Sequence, residues 1–211
     1  MNLIRAFLNA VIPPRDTRER ARKATIESLG THMTPSTVVL SGHEIQYLLP
    51  YHAPLIRSVI LEAKFYEHAH AHTQLGLLLA EYLLSYQHDA AFENTHYVLI
   101  PVPLSKKRRR ERGYNQVELV LREALKGLPD TFTMDTRLLR RVRDTRPQTK
   151  LGRKARLTNM EGAFVCSTPL GPSVTYILVD DVATTGSTMC AAYLGLISGG
   201  TKTVQMVALA H

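Results

Sequence analysis

Ten consecutive residues near the C-terminus constrain this chain most: Val179-Asp180-Asp181-Val182-Ala183-Thr184-Thr185-Gly186-Ser187-Thr188. The apolar run before them, residues 174–179, reads as a buried parallel strand. The stretch after them, residues 189–198, has a helical pattern closed by Gly199-Gly200. Strand, acidic pair, small hydroxylated loop and helix, in that order, bring two carboxylates to the carboxyl end of a strand. Open α/β sheets bind ligands there. Gly186 permits a tight turn that aims the loop amides at one point, and the helix start adds partial positive charge. Thr184, Thr185, Ser187 and Thr188 add hydroxyl donors. Such a loop suits a phosphate, and the carboxylates beside it suit the paired hydroxyls of a ribose. An ordinary strand-to-helix turn needs one cap, not two acids and four hydroxyls around a glycine. Neither Gly-x-x-x-x-Gly-Lys-[Ser/Thr] nor Gly-x-Gly-x-x-Gly after a strand occurs.

The length of 211 residues fits one α/β domain with an appendage. A chain of this size buries about 70% of its unfolded surface without a covalent staple. Cys166 and Cys190 form no Cys-x-x-Cys pair. They build neither a disulfide framework nor a zinc site, and they fit a reducing cytoplasm. Cys190 falls among apolar helical residues and reads as core. No apolar stretch is long enough to span a bilayer. The N-terminus is broken by Pro13-Pro14 and lacks the apolar core of a secretory signal. Leu3, Ile4, Phe7, Leu8 and Val11 recur at helical spacing. That spacing predicts a short amphipathic helix docked on the body, in preference to a membrane-surface helix.

Charge is unevenly spread. The formal net charge is +8, yet residues 106–156 carry 17 Lys and Arg against 6 Asp and Glu. The remainder carries 9 against 12. The concentration points to a polyanion as ligand or partner.

Three regions emerge: a helical N-terminal segment (1–35), a hood with helices (36–94) and an α/β core (95–211). Residues 15–29 read as one charged helix. Residues 37–40 and 45–49 flank Ser41-Gly42 as a hairpin. Residues 53–65 and 75–84 read as helices. Between them His68-Ala69-His70-Ala71-His72 reads as a solvated helix start rather than a metal site, since no nearby carboxylate or cysteine completes one. Residues 97–102 read as a strand, 115–125 as a helix, 137–142 as a strand, 153–159 as a short helix and 163–165 as an edge strand. The last crossover runs from 174–179 to a strand at 204–209. From residue 97 onward, strands alternate with helices, the pattern of a parallel doubly wound sheet.

Two further segments carry chemistry. In Pro101-Val102-Pro103-Leu104-Ser105-Lys106 the prolines stiffen a turn and hold its amides in place. A basic tract follows: Lys106, Lys107, Arg108, Arg109, Arg110 and Arg112. It leaves the same sheet edge as the hydroxylated loop and can hold a second anion. A cluster like this is more often a nucleic-acid patch, here Lys107, Arg108, Arg109, Arg110 and Arg112, or a solvated face. The second segment, Arg143 to Phe164, starts polar and basic and reads as a surface loop.

The C-terminal signature resembles the phosphoribosyl pyrophosphate (PRPP) motif of type I phosphoribosyltransferases. The whole pattern resembles the ComF family of phosphoribosyltransferase-like proteins. The matching pieces are Tyr51…Leu55-Ile56…Lys64-Phe65, Pro101-Val102-Pro103-Leu104, Arg112-Gly113-Tyr114-Asn115-Gln116, Arg143…Thr145…Gln148…Leu151, Arg156…Asn159…Gly162-Ala163-Phe164 and the acidic signature. The resemblance implies a type I phosphoribosyltransferase fold: a parallel sheet flanked by helices, with a small N-terminal hood. It implies that Asp180 and Asp181 hold the ribose hydroxyls of PRPP. Ala183, Thr184, Thr185, Gly186, Ser187 and Thr188 would wrap its 5′-phosphate. Val102, Pro103, Leu104, Ser105 and Lys106 would form the pyrophosphate loop. Arg143, Thr145 and Gln148 would act from a loop closing over the site. Mg²⁺ would arrive with PRPP and waters near Asp180 and Asp181, with no direct protein ligand. The family's N-terminal four-cysteine zinc finger has no counterpart in residues 1–35, so no zinc is expected. Arg-Gly-Tyr-Asn replaces the usual Arg-Gly-Phe-Asn.

About four charge-assisted bonds from the 5′-phosphate loop give roughly 6–12 kcal/mol gross. Association costs about 4–15 kcal/mol, so a second anchor at the pyrophosphate is needed. The expected activity is displacement of pyrophosphate from C1 of ribose by a nitrogen nucleophile, in a cytoplasmic protein and possible homodimer linked to DNA uptake. The alternatives are a non-catalytic single-stranded DNA-binding competence module and a PRPP-sensing regulator.

Overall fold

The computed structural model describes residues 15–66, 69–85, 95–143, 162–171, 174–200 and 204–211. In chain order they form helices α1 (Arg15–Lys23) and α2 (Ile26–Gly30), strands β1 (Ser36–Leu40) and β2 (His43–Leu49), and helices α3 (Pro54–Phe65) and α4 (Ala69–Leu84). Strand β3 (His96–Pro101) leads into helices α5 (Lys106–Arg112) and α6 (Gln116–Leu125). Strands β4 (Phe132–Met134), β5 (Leu139–Arg141), β6 (Phe164–Cys166) and β7 (Val174–Val182) precede helix α7 (Ser187–Ile197) and strand β8 (Val204–Ala210).

The main sheet has six strands in the order β1-β2-β8-β7-β3-β4. All neighbours are parallel except the β1–β2 hairpin. The fold is therefore α/β, with a mostly parallel mixed sheet flanked by helices. Because β2 pairs with β8, residues 43–49 share a sheet with the last strand of the chain. β5 and β6 form a separate two-stranded ribbon.

Two cores lie on opposite faces of the sheet. On one, Ile56, Ile60, Leu75, Leu79, Val117 and Val120 from α3, α4 and α6 cover Leu99, Ile177, Val179 and Val207. On the other, Met189, Ala192 and Leu196 from α7, with Leu139 and Phe164 of the ribbon, cover Ile100, Leu178, Met206 and Ala208. Side chains alternate along a strand. Asp181 therefore shares a face with Val179, under α3 and α6, while Asp180 shares the α7 face with Leu178.

Register fixes where the loops leave the sheet. Pro101 at the end of β3 sits opposite Val179 of β7, so both strands end at one edge. The Val102 amide continues the ladder to the Val179 carbonyl at 2.9 Å.

Several sequence expectations need correction. The single helix over 15–29 is two helices. Thr25 breaks it by forming a capping box with Ser28, an arrangement that competes with helix continuation. The histidine run starts a helix as expected, but its described histidines are not solvated. α4 begins at Ala69, His72 is buried with Nε2 3.0 Å from the Ala63 carbonyl, and His70 Nε2 lies 2.6 Å from the Ala24 carbonyl. The strand over 137–142 is shorter, because Asp135 Oδ1 accepts from the Arg137 and Leu138 amides and turns the chain. β7 runs three residues past Val179 and includes the acidic pair. The expected helices at the extreme N-terminus and over 153–159 lie outside the described residues.

Candidate functional site

The glycine turn is built against the hairpin. Gly186 has φ +71°, and a Cβ there would stand 2.5 Å from Leu40 Cβ. The backbone thus adopts a left-handed conformation at a point of close approach, which only glycine permits without displacement. Ser41 Oγ donates to the Thr185 carbonyl at 3.2 Å, and Cys190 Sγ lies 3.3 Å from the Leu40 carbonyl. The N-cap residue Gly186 has no side chain to cap α7, and only the Ser187 amide meets a side chain, Thr185 Oγ1 at 3.5 Å. The first amides of α7 have no intrahelical acceptor and carry the positive end of the helix dipole toward the loop. Thr184 and Thr185 are exposed, and the Thr185 and Ser187 hydroxyls are 3.0 Å apart.

A cleft of about 280 Å³ opens beside this turn. Residues 183–188 line one side of it, Val102, Pro103, Leu104 and Arg108 line another, and Asp180 and Asp181 lie on its wall. Of the expected site residues, these are the ones the fold brings together. Ser105 instead caps α5 by accepting from the Arg108 amide at 3.2 Å, and Lys106 begins the exposed helix. Arg143 is exposed at the end of the ribbon, where its amide lies 3.4 Å from the Ala163 carbonyl. Thr145 and Gln148 lie outside the described residues.

The two carboxylates have unlike surroundings. Asp181 is buried, and its Oδ2 accepts from Lys64 Nζ at 2.9 Å and from Gln116 Nε2 at 2.7 Å. Its Oδ1 accepts from the Val182 amide at 2.7 Å. Burial pushes this carboxyl upward, but Lys64, Gln116 and the Val182 amide outweigh burial and hold it below the ordinary carboxylate range. Asp180 is half-buried, and its Oδ1 accepts from the Asp181 amide at 2.9 Å. Burial first, then the neighbouring Asp181 charge, push it up to about 7. Strand alternation explains the split: Asp181 faces α3 and α6, which supply its partners, and Asp180 faces the other side.

The turn between α5 and α6 supports this wall residue by residue. Arg112 Nη1 donates to Gln116 Oε1 at 2.9 Å, and its guanidinium lies 4.9 Å from the centre of the Phe65 ring. Gly113 closes α5 with φ +79°. Tyr114 donates its hydroxyl to the Ala63 carbonyl at 3.1 Å, docking the turn on the end of α3. Asn115 caps α6 through the Val117 amide and donates Nδ2 to the Val102 carbonyl at 3.1 Å. Gln116 then reaches Asp181. The basic tract is thereby divided. Lys106, Lys107, Arg109 and Arg110 are exposed, Arg108 faces the cleft, and Arg112 turns inward.

Tyr51, Lys64, Gln116 and Arg141 also line the cleft, and sequence reasoning gave them no site role. Arg141 comes from β5 with its guanidinium 5.2 Å from the Phe164 ring centre. Lys64, Arg108 and Arg141 set three cations against the two carboxylates of the cleft, and Lys64 is paired with Asp181. Among the described residues, no group of three His, Cys, Asp or Glu side chains could hold a metal ion, and no helix is long and apolar enough to cross a membrane.

No protein-family model matches the chain. Curated relatives do. The chain is 28% identical over 155 residues to the DNA utilization protein YhgH of Salmonella typhimurium, a match covering 74% of this chain and 66% of that protein. It is 35% identical over 115 residues to competence protein F of Haemophilus influenzae, covering 54% of this chain and 49% of the relative. It is 35% identical over 109 residues to competence protein ComFC of Bacillus subtilis, covering 52% and 42%. The chain thus spans less than two thirds of the length of each of these relatives. They place it in relationship with proteins named for competence and DNA utilization.

Proposed function

We propose that this is a ComF-family, PRPP-binding, phosphoribosyltransferase-like protein that transfers or recognises a phosphoribosyl group in connection with DNA uptake or utilization. One observation carries the reading: the acidic pair, the glycine turn at a helix N-terminus and the stiffened loop after β3 all line one cleft. The names of the competence and DNA-utilization relatives support the wider context.

In this reading Asp180 and Asp181 accept from the ribose hydroxyls. The amides and hydroxyls of residues 183–188 hold the 5′-phosphate. Residues 102–104 and Arg108 hold the pyrophosphate. The cleft volume lies near the lower end of small-molecule sites, which suits one sugar phosphate. The donor set fits a metal that arrives with its ligand. Asp181 already accepts three protein donors, so Mg²⁺ would be held by PRPP oxygens and waters near Asp180. When bound, it would neutralise charge on the pyrophosphate. The C1–O bond breaks as pyrophosphate leaves with the electron pair, a C1–N bond forms, and the nucleophile loses its proton. Cations and loop amides lower the barrier by stabilising the leaving group.

The test is titration calorimetry with PRPP and Mg²⁺, followed by a pyrophosphate-release screen over nucleobases. The wild type should bind PRPP, and Asp181→Asn should bind at least tenfold more weakly. Unchanged affinity in that variant rejects the assignment. Release of pyrophosphate with one base marks an enzyme, whereas binding without release marks a PRPP sensor.

A second reading has its own observation: Lys107, Arg109 and Arg110 are exposed on α5 away from the cleft, available to track the phosphates of single-stranded DNA. Base stacking has little support there, since Tyr114 is half-buried with its ring edge-on to His72 at 6.0 Å.

A further inference from the structure

We propose that Arg112 and Gln116 form a positioning relay: Arg112 locks the Gln116 amide so that Asp181 presents a fixed carboxylate to the sugar. The proposal deepens the sugar-phosphate reading and rests on it for the identity of the sugar. The relay itself rests on geometry.

Gln116 stands between two groups of opposite chemistry. On one side Arg112 can only donate, and it meets Gln116 Oε1 at 2.9 Å. On the other side ionised Asp181 can only accept, and it meets Gln116 Nε2 at 2.7 Å. A single amide orientation satisfies both, because the flipped amide would set N–H against guanidinium and oxygen against carboxylate. Glutamate at this position would repel Asp181, and lysine would repel Arg112. Gln116 is 3% exposed and Asp181 is 7% exposed, so water cannot readily replace either bond.

Arg112 is held in turn. Its guanidinium packs on the Phe65 ring. The residue before Phe65 is Lys64, whose ammonium takes the same Asp181 oxygen. The last turn of α3 therefore supports Asp181 twice, directly through Lys64 and indirectly through Phe65, Arg112 and Gln116. The charged groups around Asp181 are Lys64 on α3, Arg112 on α5 and Asp180 on its own strand, with Gln116 as the neutral link. The relay also explains why Arg112 is set apart from the outward cations of α5. It belongs to the sugar wall and not to a nucleic-acid patch.

The test uses the full chain without ligand. Asp ¹³Cγ resonances are followed by NMR through a pH titration of wild type, Arg112→Met, Arg112→Lys and Gln116→Glu. In wild type the Asp181 signal should remain ionised near pH 4, where an ordinary aspartate is about half protonated. In Arg112→Met the freed amide should let its midpoint rise by about one unit, a tenfold change. Arg112→Lys, which keeps a donor for Gln116 Oε1, should restore most of the shift. Gln116→Glu should raise the midpoint further, since two carboxylates would then share the site. An Asp181 midpoint that is the same in all four folded proteins overturns the relay. PRPP affinity, measured by calorimetry in parallel, should fall about tenfold in Arg112→Met. An Asp181 midpoint that does not move in Arg112→Met, with PRPP binding intact, overturns the relay and leaves the function standing. A midpoint that rises there while PRPP binding is undiminished overturns the relay's role in presenting Asp181 to the sugar. The reverse, a shifted midpoint with no PRPP binding by the wild type, supports the relay and overturns the sugar-phosphate reading.

Discussion

Gly186→Ala separates two demands that the turn before α7 makes on one residue. The first is conformational. At φ +71° an alanine carries a left-handed penalty of about 1–2 kcal/mol. The second is steric. The new Cβ would stand 2.5 Å from Leu40 Cβ and 3.2 Å from Ile45 Cδ1, and Ile45 is fully buried. Leu40 must move with the hairpin turn, and overpacking of this kind costs about 1–3 kcal/mol. The expected destabilisation is thus about 2–5 kcal/mol. Gly113→Ala is the control: φ is +79°, and nothing lies within 4 Å of an added Cβ. It should cost only the conformational part, about 1–2 kcal/mol. Urea unfolding with a shared m-value reads both. Pairing Gly186→Ala with Leu40→Gly should recover part of the loss, which a double-mutant cycle measures as coupling. Equal destabilisation by the two glycine substitutions, with no coupling to Leu40, would refute the idea that the hairpin braces the loop.

Two further outcomes are expected. Replacing Lys107, Arg109 and Arg110 together by Ala should leave PRPP affinity unchanged, since none of them lines the cleft. If α5 tracks DNA, the same change should flatten the log–log salt dependence of oligonucleotide binding, by up to about 0.7 in slope for each phosphate left unneutralised. Asp180→Asn should raise stability above pH 7 and leave it little changed near pH 4, as read by chemical denaturation at each pH. A variant whose pH–stability curve matches wild type would show that Asp180 is not the group that titrates.

The strand–loop–helix unit around Gly186 is legible in the sequence because each of its signals is local. An apolar run, two acids, a glycine and a helical pattern lie within a few turns of chain. The hairpin and the mostly parallel sheet follow from the same kind of signal. Lys64 is not legible as a site residue, because a basic residue in the last turn of a helix ordinarily serves the helix dipole. Its partner Asp181 lies in the last strand but one, and only the packing of α3 on the sheet joins them. Arg112 is obscured for a related reason. The composition around α5 reveals six cations but not which face meets Phe65 and Gln116. The His-Ala-His alternation misleads because its spacing suggests chelation or solvent, whereas His70 and His72 meet the Ala24 and Ala63 carbonyls. β4 is three residues long and leaves no periodicity to detect.

The acidic pair is best understood through linkage. A carboxyl raised from 3.8 to about 7 binds a proton more tightly in the folded state than in the unfolded one. Its contribution is therefore fully present below about pH 4 and is lost as pH rises toward 7, by up to about 4 kcal/mol at 1.36 kcal/mol per unit. Asp181 has the opposite sign. Its lowered value contributes stability above the ordinary aspartate range, and that contribution is lost as pH falls through the folded pKa. Removing the Asp180 charge should thus help the fold only where the wild type is forced to ionise it. A chain selected for stability alone would place an amide there. Keeping a second acid beside an already ionised one makes sense where a ligand supplies what the fold lacks: hydroxyls to donate to both carboxylates and, with the ligand, cationic charge to offset them. The fold and the ligand then share the stabilisation of one site, and the stability that Asp180 forfeits in the empty cleft should return when the cleft is filled.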